Sequence, residues 1–297
     1  MDVPQEYMRA VRLLAPELRR TGLMVSKDVF EKAEELRLRV GQAPSVVVEG
    51  REIPLSEGRA VTPADIQMTV EIATRASVHA HADSIRMGYV TAEGGCRLGL
   101  CGTAVTDGDK ITALRRLTSV CIRIPHEKKG CGDDVLPLLT GEGGFEATLI
   151  ISPPGEGKTT LLRDITRLLS EMGQRISLVD ERGEVAGVFE GAPCFDVGPR
   201  TDIITGAAKV QAIGLVLRAM SPQIIAFDEI TDPKDVEAAE RAANCGVKLL
   251  ATAHAGNTRD LSERPLYRQL LERRVFRKAV TIKSEGGRRS YSVEDLP

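Results

Sequence analysis

The 297-residue chain sets 40 Lys and Arg against 42 Asp and Glu, a formal net charge of −2, and is 42% hydrophobic and 28% charged. That is the composition of a globular protein with room for one large or two moderate domains. Near-neutral charge and 3% aromatic content without Trp supply neither the electrostatic footprint nor the stacking platform of a nucleic-acid binder, so no nucleic-acid partner is expected. No apolar run approaches the roughly 18 residues of a membrane span. The start Met1-Asp2-Val3-Pro4 has neither a basic segment nor an apolar stretch, so the expected location is cytoplasmic. Six cysteines without a Cys-x-x-Cys pair suit a reduced compartment. A zinc site from Cys96, Cys101 and His79 or His81 can be drawn, but these spacings match no usual ligand knuckle.

The first half reads as α+β. Apolar spacing predicts helices over 5–14 and 29–37 and a strand over 45–48. Thr62-Pro63-Ala64-Asp65 is a helix start, with Thr as cap, Pro in the first turn and an acid three residues on, and that helix should run to about 76. Short strands follow at 85–91, 97–100, 103–105, 110–114 and 119–124, with Asp107-Gly108 as a hairpin turn. Gly- and charge-rich punctuation over 126–146 marks a junction, with 135–139 as one helical turn. The expected division is an N-terminal α+β domain over 1–130, a linker over 131–146 and a second domain over 147–297.

The second half alternates strands (147–151, 175–179, 224–227, 247–252) with helices (159–170, 207–220, 235–244), the pattern of a mostly parallel sheet with helices on its faces. Residues 275–282 and 289–293 read as a closing antiparallel pair.

Between the first strand and helix of this half stands Ser152-Pro153-Pro154-Gly155-Glu156-Gly157-Lys158-Thr159-Thr160. Strand, Gly-rich turn and helix form a phosphate cradle, because backbone N–H groups of the turn and the helix N-terminus point at anionic oxygens. Lys158 is expected at the β- and γ-phosphates and Thr159 on Mg²⁺. Ser152 stands where the strict pattern opens with Gly. The strand at 224–227 delivers Asp228 and Glu229 to the crevice where open α/β sheets bind ligands. Asp228 is the candidate for the Mg²⁺ shell, and Glu229 for the base that deprotonates water. Glu181 in Val179-Asp180-Glu181-Arg182 is a second candidate base, and Arg182 a phosphate contact. His254 in Thr252-Ala253-His254 can sense the γ-phosphate, and Arg200 and Arg218 can donate charge to phosphates. These readings make the ligands ATP and Mg²⁺.

In their order along the chain, the Lys158 loop, Asp180-Glu181, Asp228-Glu229 and Thr252-Ala253-His254 resemble the RecA-like secretion ATPases, the motors of type II and IV secretion and of pilus machines. Glu34-Glu35-Leu36-Arg37-Leu38-Arg39, Arg86-Met87-Gly88-Tyr89-Val90-Thr91, Gly94-Gly95-Cys96-Arg97 and Asp196-Val197-Gly198-Pro199-Arg200-Thr201-Asp202 resemble, more narrowly, the stage III sporulation AA family of endospore-forming bacteria. Cys96 stands where that likeness leads one to expect His, which argues against a metal ligand or base there. The resemblance implies a RecA-like P-loop ATPase domain behind a smaller α+β domain. It implies a homo-oligomeric ring such as a hexamer, completed by an Arg from a neighbour, with Arg86, Arg97, Arg123, Arg200 and Arg218 as donors to choose among. It implies a mother-cell motor, peripheral to the membrane, with membrane proteins of a channel complex as partners. Two other readings stay open: a nucleic-acid translocase on the same fold, and a non-hydrolysing nucleotide-gated scaffold. No Asn-Lys-x-Asp motif for guanine occurs.

Overall fold

The computed structural model describes residues 4–55, 59–77, 82–285 and 288–296. The chain divides into two compact units, Met1–His126 with Gly187–Cys194, and Glu127–Ala186 with Phe195–Pro297.

The first unit opens with helices α1 (Gln5–Leu13), α2 (Pro16–Leu23) and α3 (Lys27–Lys32). Strands β1 (Ala33–Arg39), β2 (Ser45–Val48) and β3 (Arg51–Pro54) follow, then helices α4 (Pro63–Ala73) and α5 (Ala82–Arg86). Strands β4 (Tyr89–Thr91), β5 (Arg97–Asp107) and β6 (Lys110–Arg123) complete it. The sheet order is β3-β2-β1-β6-β5-β4, with every neighbour pair antiparallel. Tyr7, Leu14, Leu18, Leu36, Leu38, Ile66, Leu98 and Ile122 are fully buried in its core. Each such side chain contributes on the order of 1.5–3 kcal/mol relative to exposure. The Thr62–Asp65 capping box that starts α4 forms in full.

Two expectations for this unit are corrected. The helix over 29–37 ends at Lys32, and the chain enters β1, where Leu36 and Leu38 are buried between half-exposed Glu35, Arg37 and Arg39. Pairing on both sides, to β2 and β6, overrides the helix-forming Glu34-Glu35. The strand over 85–91 begins at Tyr89, because Ile85 belongs to α5.

In the second unit, Leu136–Leu139 forms a 3₁₀ turn, and β7 (Thr140–Gly141) and β8 (Gly144–Phe145) form a small hairpin within the stretch expected as a linker. The main sheet comprises β9 (Thr148–Ser152), β10 (Ile176–Asp180), β11 (Thr201–Thr205), β12 (Ile224–Phe227), β13 (Lys248–His254), β14 (Lys278–Glu285) and β15 (Arg288–Asp295). Its order is β11-β10-β12-β13-β9-β14-β15, parallel throughout except for the last pair. Helices α6 (Lys158–Glu171), α7 (Lys209–Ala219), α8 (Pro233–Asn244), α9 (Thr258–Glu263) and α10 (Pro265–Glu272) cover it. Ile151, Ile225, Phe227, Leu249 and Ala251 share a core with α7 to α10. The alternate residues Ile150, Ala226 and Leu250 are fully buried on the other face, where α6 packs. β11, α9 and α10 are additions to the sequence reading. Among the described residues no helix is long and apolar enough to cross a membrane.

Candidate active site

β9 stops at Ser152, beside His254 at the end of β13, and α6 begins at Lys158. Between them Gly155 and Gly157 hold φ of +82° and +98°, left-handed values that disfavour any side chain. Ser152 is the last residue of β9, on extended backbone, so the position needs no glycine. Its hydroxyl donates to the Pro153 carbonyl at 2.9 Å. Lys158 is 7% exposed, and its ammonium donates to the carbonyls of Ser152 (2.9 Å) and Pro153 (3.0 Å) and to His254 Nδ1 (2.8 Å). Burial pulls its pKa down, opposed by the charges of Asp228, Glu229 and Glu156.

β13 lies between β9 and β12, yet the strand ends meet. Thr159 Oγ1 donates to Asp228 Oδ2 at 2.9 Å, and Thr252 Oγ1 donates to Asp228 Oδ1 at 2.5 Å. The same Thr252 hydroxyl accepts from the Glu229 amide at 2.8 Å. Glu229 is left-handed (φ +46°), a strained backbone of the kind that clusters at functional sites. Its Oε1 lies 2.9 Å from His254 Nε2. An ammonium cannot accept, so His254 Nδ1 must be the acceptor and Nε2–H the donor to Glu229, a tautomer assigned from the partners. Tyr267 in α10 fastens this edge: its hydroxyl donates to the Ile230 carbonyl (3.2 Å) and accepts from the His254 amide (3.3 Å).

Thr159 and Asp228 offer neighbouring oxygen ligands of the kind Mg²⁺ takes, one hydroxyl and one carboxylate. Among the described residues no group of three or more His, Cys, Asp or Glu is placed to hold a metal ion. For the zinc possibility, Cys96 is buried, its thiol pushed up to about 12 by burial, and Cys101 is exposed; His79 and His81 lie outside the described residues.

Beside the loop, Asp180, Glu181, Arg182, Glu184, Lys209, Asp228, Glu229 and Thr231 line a cleft. Asp180 is buried and accepts from the amides of Glu184 (2.9 Å), Val185 (3.1 Å) and Ala186 (2.9 Å). Burial pushes its carboxyl up against those bonds. Glu181 is tied to Lys209 at 2.7 Å. Arg182 lines the cleft but is exposed. Arg163, unpredicted, is buried in α6, donates to the Val185 (2.5 Å) and Glu184 (2.9 Å) carbonyls and stacks 4.0 Å over the Phe195 ring. Lys209 and Tyr267 were also missed, since isolated residues on helices carry no local signal.

Two candidates lie elsewhere. Arg200 precedes β11 at the amino edge of the sheet, where its side chain donates to the Gly173 carbonyl at 3.3 Å. Its motif packs under the end of α6: a Cβ on Gly198 would fall 2.5 Å from Ser170 Cβ, and the Ser170 hydroxyl accepts from the Arg200 amide at 2.7 Å. Arg218 is exposed in the last turn of α7, at the same edge. In the first unit, Arg97 lies 4.2 Å over the Tyr89 ring and Arg123 pairs with Glu35 at 3.3 Å.

A mostly parallel α/β sheet that follows an antiparallel α+β unit along the chain is the fold of the secretion and pilus ATPases. The structure is similar to the ATPase DotB of Yersinia pseudotuberculosis (TM-score 0.60, 17% identity, 95% of this chain and 79% of that one). It is also similar to the pilus retraction motor PilT, solved with bound ADP (TM-score 0.55, 19% identity, 89% and 79%). In sequence, residues 5–292 match the family described as sporulation stage III, protein AA. Stage III sporulation protein AA of Bacillus subtilis (strain 168) is 32% identical over 275 residues, 91% of this chain and 89% of that protein. The chain belongs to the sporulation stage III, protein AA family.

Proposed function

We propose that the second unit is a Mg²⁺-dependent ATPase, converting ATP and water to ADP and phosphate. In this reading the chain is the motor on the cytoplasmic, mother-cell side of a membrane-spanning channel in spore development, assembled head to tail as a ring with membrane-protein partners. The observation that carries the reading is the circuit of bonds from Lys158 through His254, Glu229, Thr252 and Asp228 to Thr159. In this reading Lys158 is the cation, Thr159 and Asp228 the metal-ligand pair and Glu229 the base around one phosphate loop. The relatives support the class through the word ATPase in the name of DotB and the ADP bound to PilT.

Loop amides and the α6 N-terminus bind the phosphates, and the Lys158 ammonium is the charge that reaches them. Thr159 and Asp228 would hold Mg²⁺, which when bound neutralises phosphate charge. Glu229 takes the proton of the water that attacks the terminal phosphorus, and the His254 Nε2–H bond aims its carboxylate. Asp180, consumed by three amides, is structural here, and Glu181 is a reserve base restrained by Lys209.

Phosphate release by wild type, Glu229→Gln and Glu181→Gln with Mg²⁺ and ATP tests this. Glu229→Gln should bind ATP within about twofold of wild type and turn over about 10²–10⁴ times more slowly. If Glu229→Gln keeps the wild-type rate while Glu181→Gln is dead, the base is Glu181. If wild type with its membrane partners present shows no turnover, the protein is a nucleotide-gated scaffold instead.

A further inference from the structure

The last hairpin overhangs the phosphate loop. β14 pairs with β9 from Lys278↔Thr148 to Thr281↔Ile151, then runs on to Glu285 beyond the carboxyl edge of the sheet. β15 returns with Arg289 opposite Ser284. Ser284 is three positions past the last β9 pair, about 10 Å at the usual strand rise. Alternation along β15 leaves Ser290, Ser292 and Glu294 exposed and Tyr291 and Val293 half-buried, so the face that carries position 289 turns toward the protein.

That face meets the loop at Gly157. A Cβ built there would lie 2.8 Å from Arg289 Cζ and 3.0 and 3.1 Å from its two terminal nitrogens. The guanidinium therefore rests on the side of Gly157 that has no side chain, one residue before Lys158. Among the described residues Arg289 has no hydrogen bond or ion pair, whereas Arg167, Arg259 and Arg264 each hold a carboxylate. A planar five-donor cation beside a buried ammonium and a helix N-terminus suits an anion of high charge.

We propose that Arg289 is a phosphate-binding residue that the carboxyl-terminal hairpin supplies within the same chain, pairing with the polyphosphate of the nucleotide above Gly157. This rests on reading the loop as a nucleotide site. The left-handed backbone is what calls for glycine at 157, since a methyl group there would displace only the end of the Arg289 side chain.

Calorimetric titration of wild type, Arg289→Ala and Arg289→Lys with ATP and with inorganic tripolyphosphate, Mg²⁺ present, tests it. Arg289→Ala should weaken both ligands about 10- to 100-fold, the range for losing a charged hydrogen-bonding group. Arg289→Lys should recover part of that affinity. Arg289 is exposed, so its variants should melt with wild type; if Arg289→Ala does not, the Arg289→Lys and Arg289→Gln pair carries the comparison. Wild-type affinity for both ligands in Arg289→Ala overturns the proposal and leaves the nucleotide site standing. Loss of ATP with tripolyphosphate unchanged overturns it too, by moving the contact to the base. If wild type binds neither ligand, the nucleotide reading falls first and this one with it.

Discussion

At the carboxyl edge of the parallel sheet, Lys158, Thr159, Asp228, Glu229, Thr252 and His254 bond to one another. At the amino edge, Arg175 and Arg200 bond to the backbone carbonyls of Ser221 and Gly173, and Arg218 sits in the last turn of α7. The contrast follows from direction. Parallel strands all finish on one side, and the helix that leaves the first of them starts there with its unpaired amides and positive dipole end. The opposite side receives helix C-termini, whose spare carbonyls attract arginines. A cation on the amino edge therefore has a local backbone task, whereas a cation on the carboxyl edge is surrounded by groups that suit an anion.

Removing the central cation should have the largest effect. Lys158→Ala deletes the ammonium that joins Ser152, Pro153 and His254, and ATP affinity should fall at least about 100-fold. Calorimetry with Mg²⁺ reads this directly. Equal affinity in the mutant would dissolve the distinction between the edges, because Lys158 would then be another carbonyl-capping cation.

The carboxyl edge was legible in sequence because its parts sit at the ends of short apolar runs. Ser152–Thr160, Asp228-Glu229 and Thr252–His254 each adjoin a strand that periodicity finds, and parallel topology brings those ends together. Less legible was what several residues do there. Glu181 and Asp180 look alike in sequence, but one is held by Lys209 and the other by three amides. Arg200 was less legible for the converse reason: its Gly-Pro-Arg-Thr setting resembles a functional turn, while in the fold Gly198 packs on Ser170 and the Arg200 side chain bonds the Gly173 carbonyl. In the first unit, residues 33–37 read as helix because the apolar spacing over 29–37 fits a helical period. The partners that make β1 a strand, Ser45–Val48 and Ser119–Arg123, are distant in sequence.

Asp180→Asn asks whether every acid on the carboxyl edge belongs to the chemistry. The amide keeps the size of the carboxylate but turns one acceptor oxygen into a donor facing the N–H groups of residues 184–186. At least one buried donor is then left unpaired, at about 1–3 kcal/mol. For a chain of this size that is a fall in Tm of roughly 2–4 °C per kcal/mol, while ATP affinity should stay within about threefold. An unchanged Tm with lost affinity would move Asp180 from scaffold to ligand contact.

The smallest effect should come from the amino edge. Arg200→Ala removes one exposed side-chain bond to the Gly173 carbonyl, and the Arg200 amide keeps its bond to Ser170 in the variant. Arg218→Ala removes a favourable charge at the end of α7, a term of about 0.3–1 kcal/mol for exposed groups. Both variants should stay within about 1 kcal/mol of wild-type stability in urea melts, and should bind ATP within about twofold when dilute. Concentration makes the measurement sharper. If either arginine completes a neighbour's site, its loss will spare the dilute protein yet lower turnover as concentration promotes assembly. A deficit that appears only on assembly would give the amino edge a task between subunits, and one already present in dilute protein would break the division between the two edges.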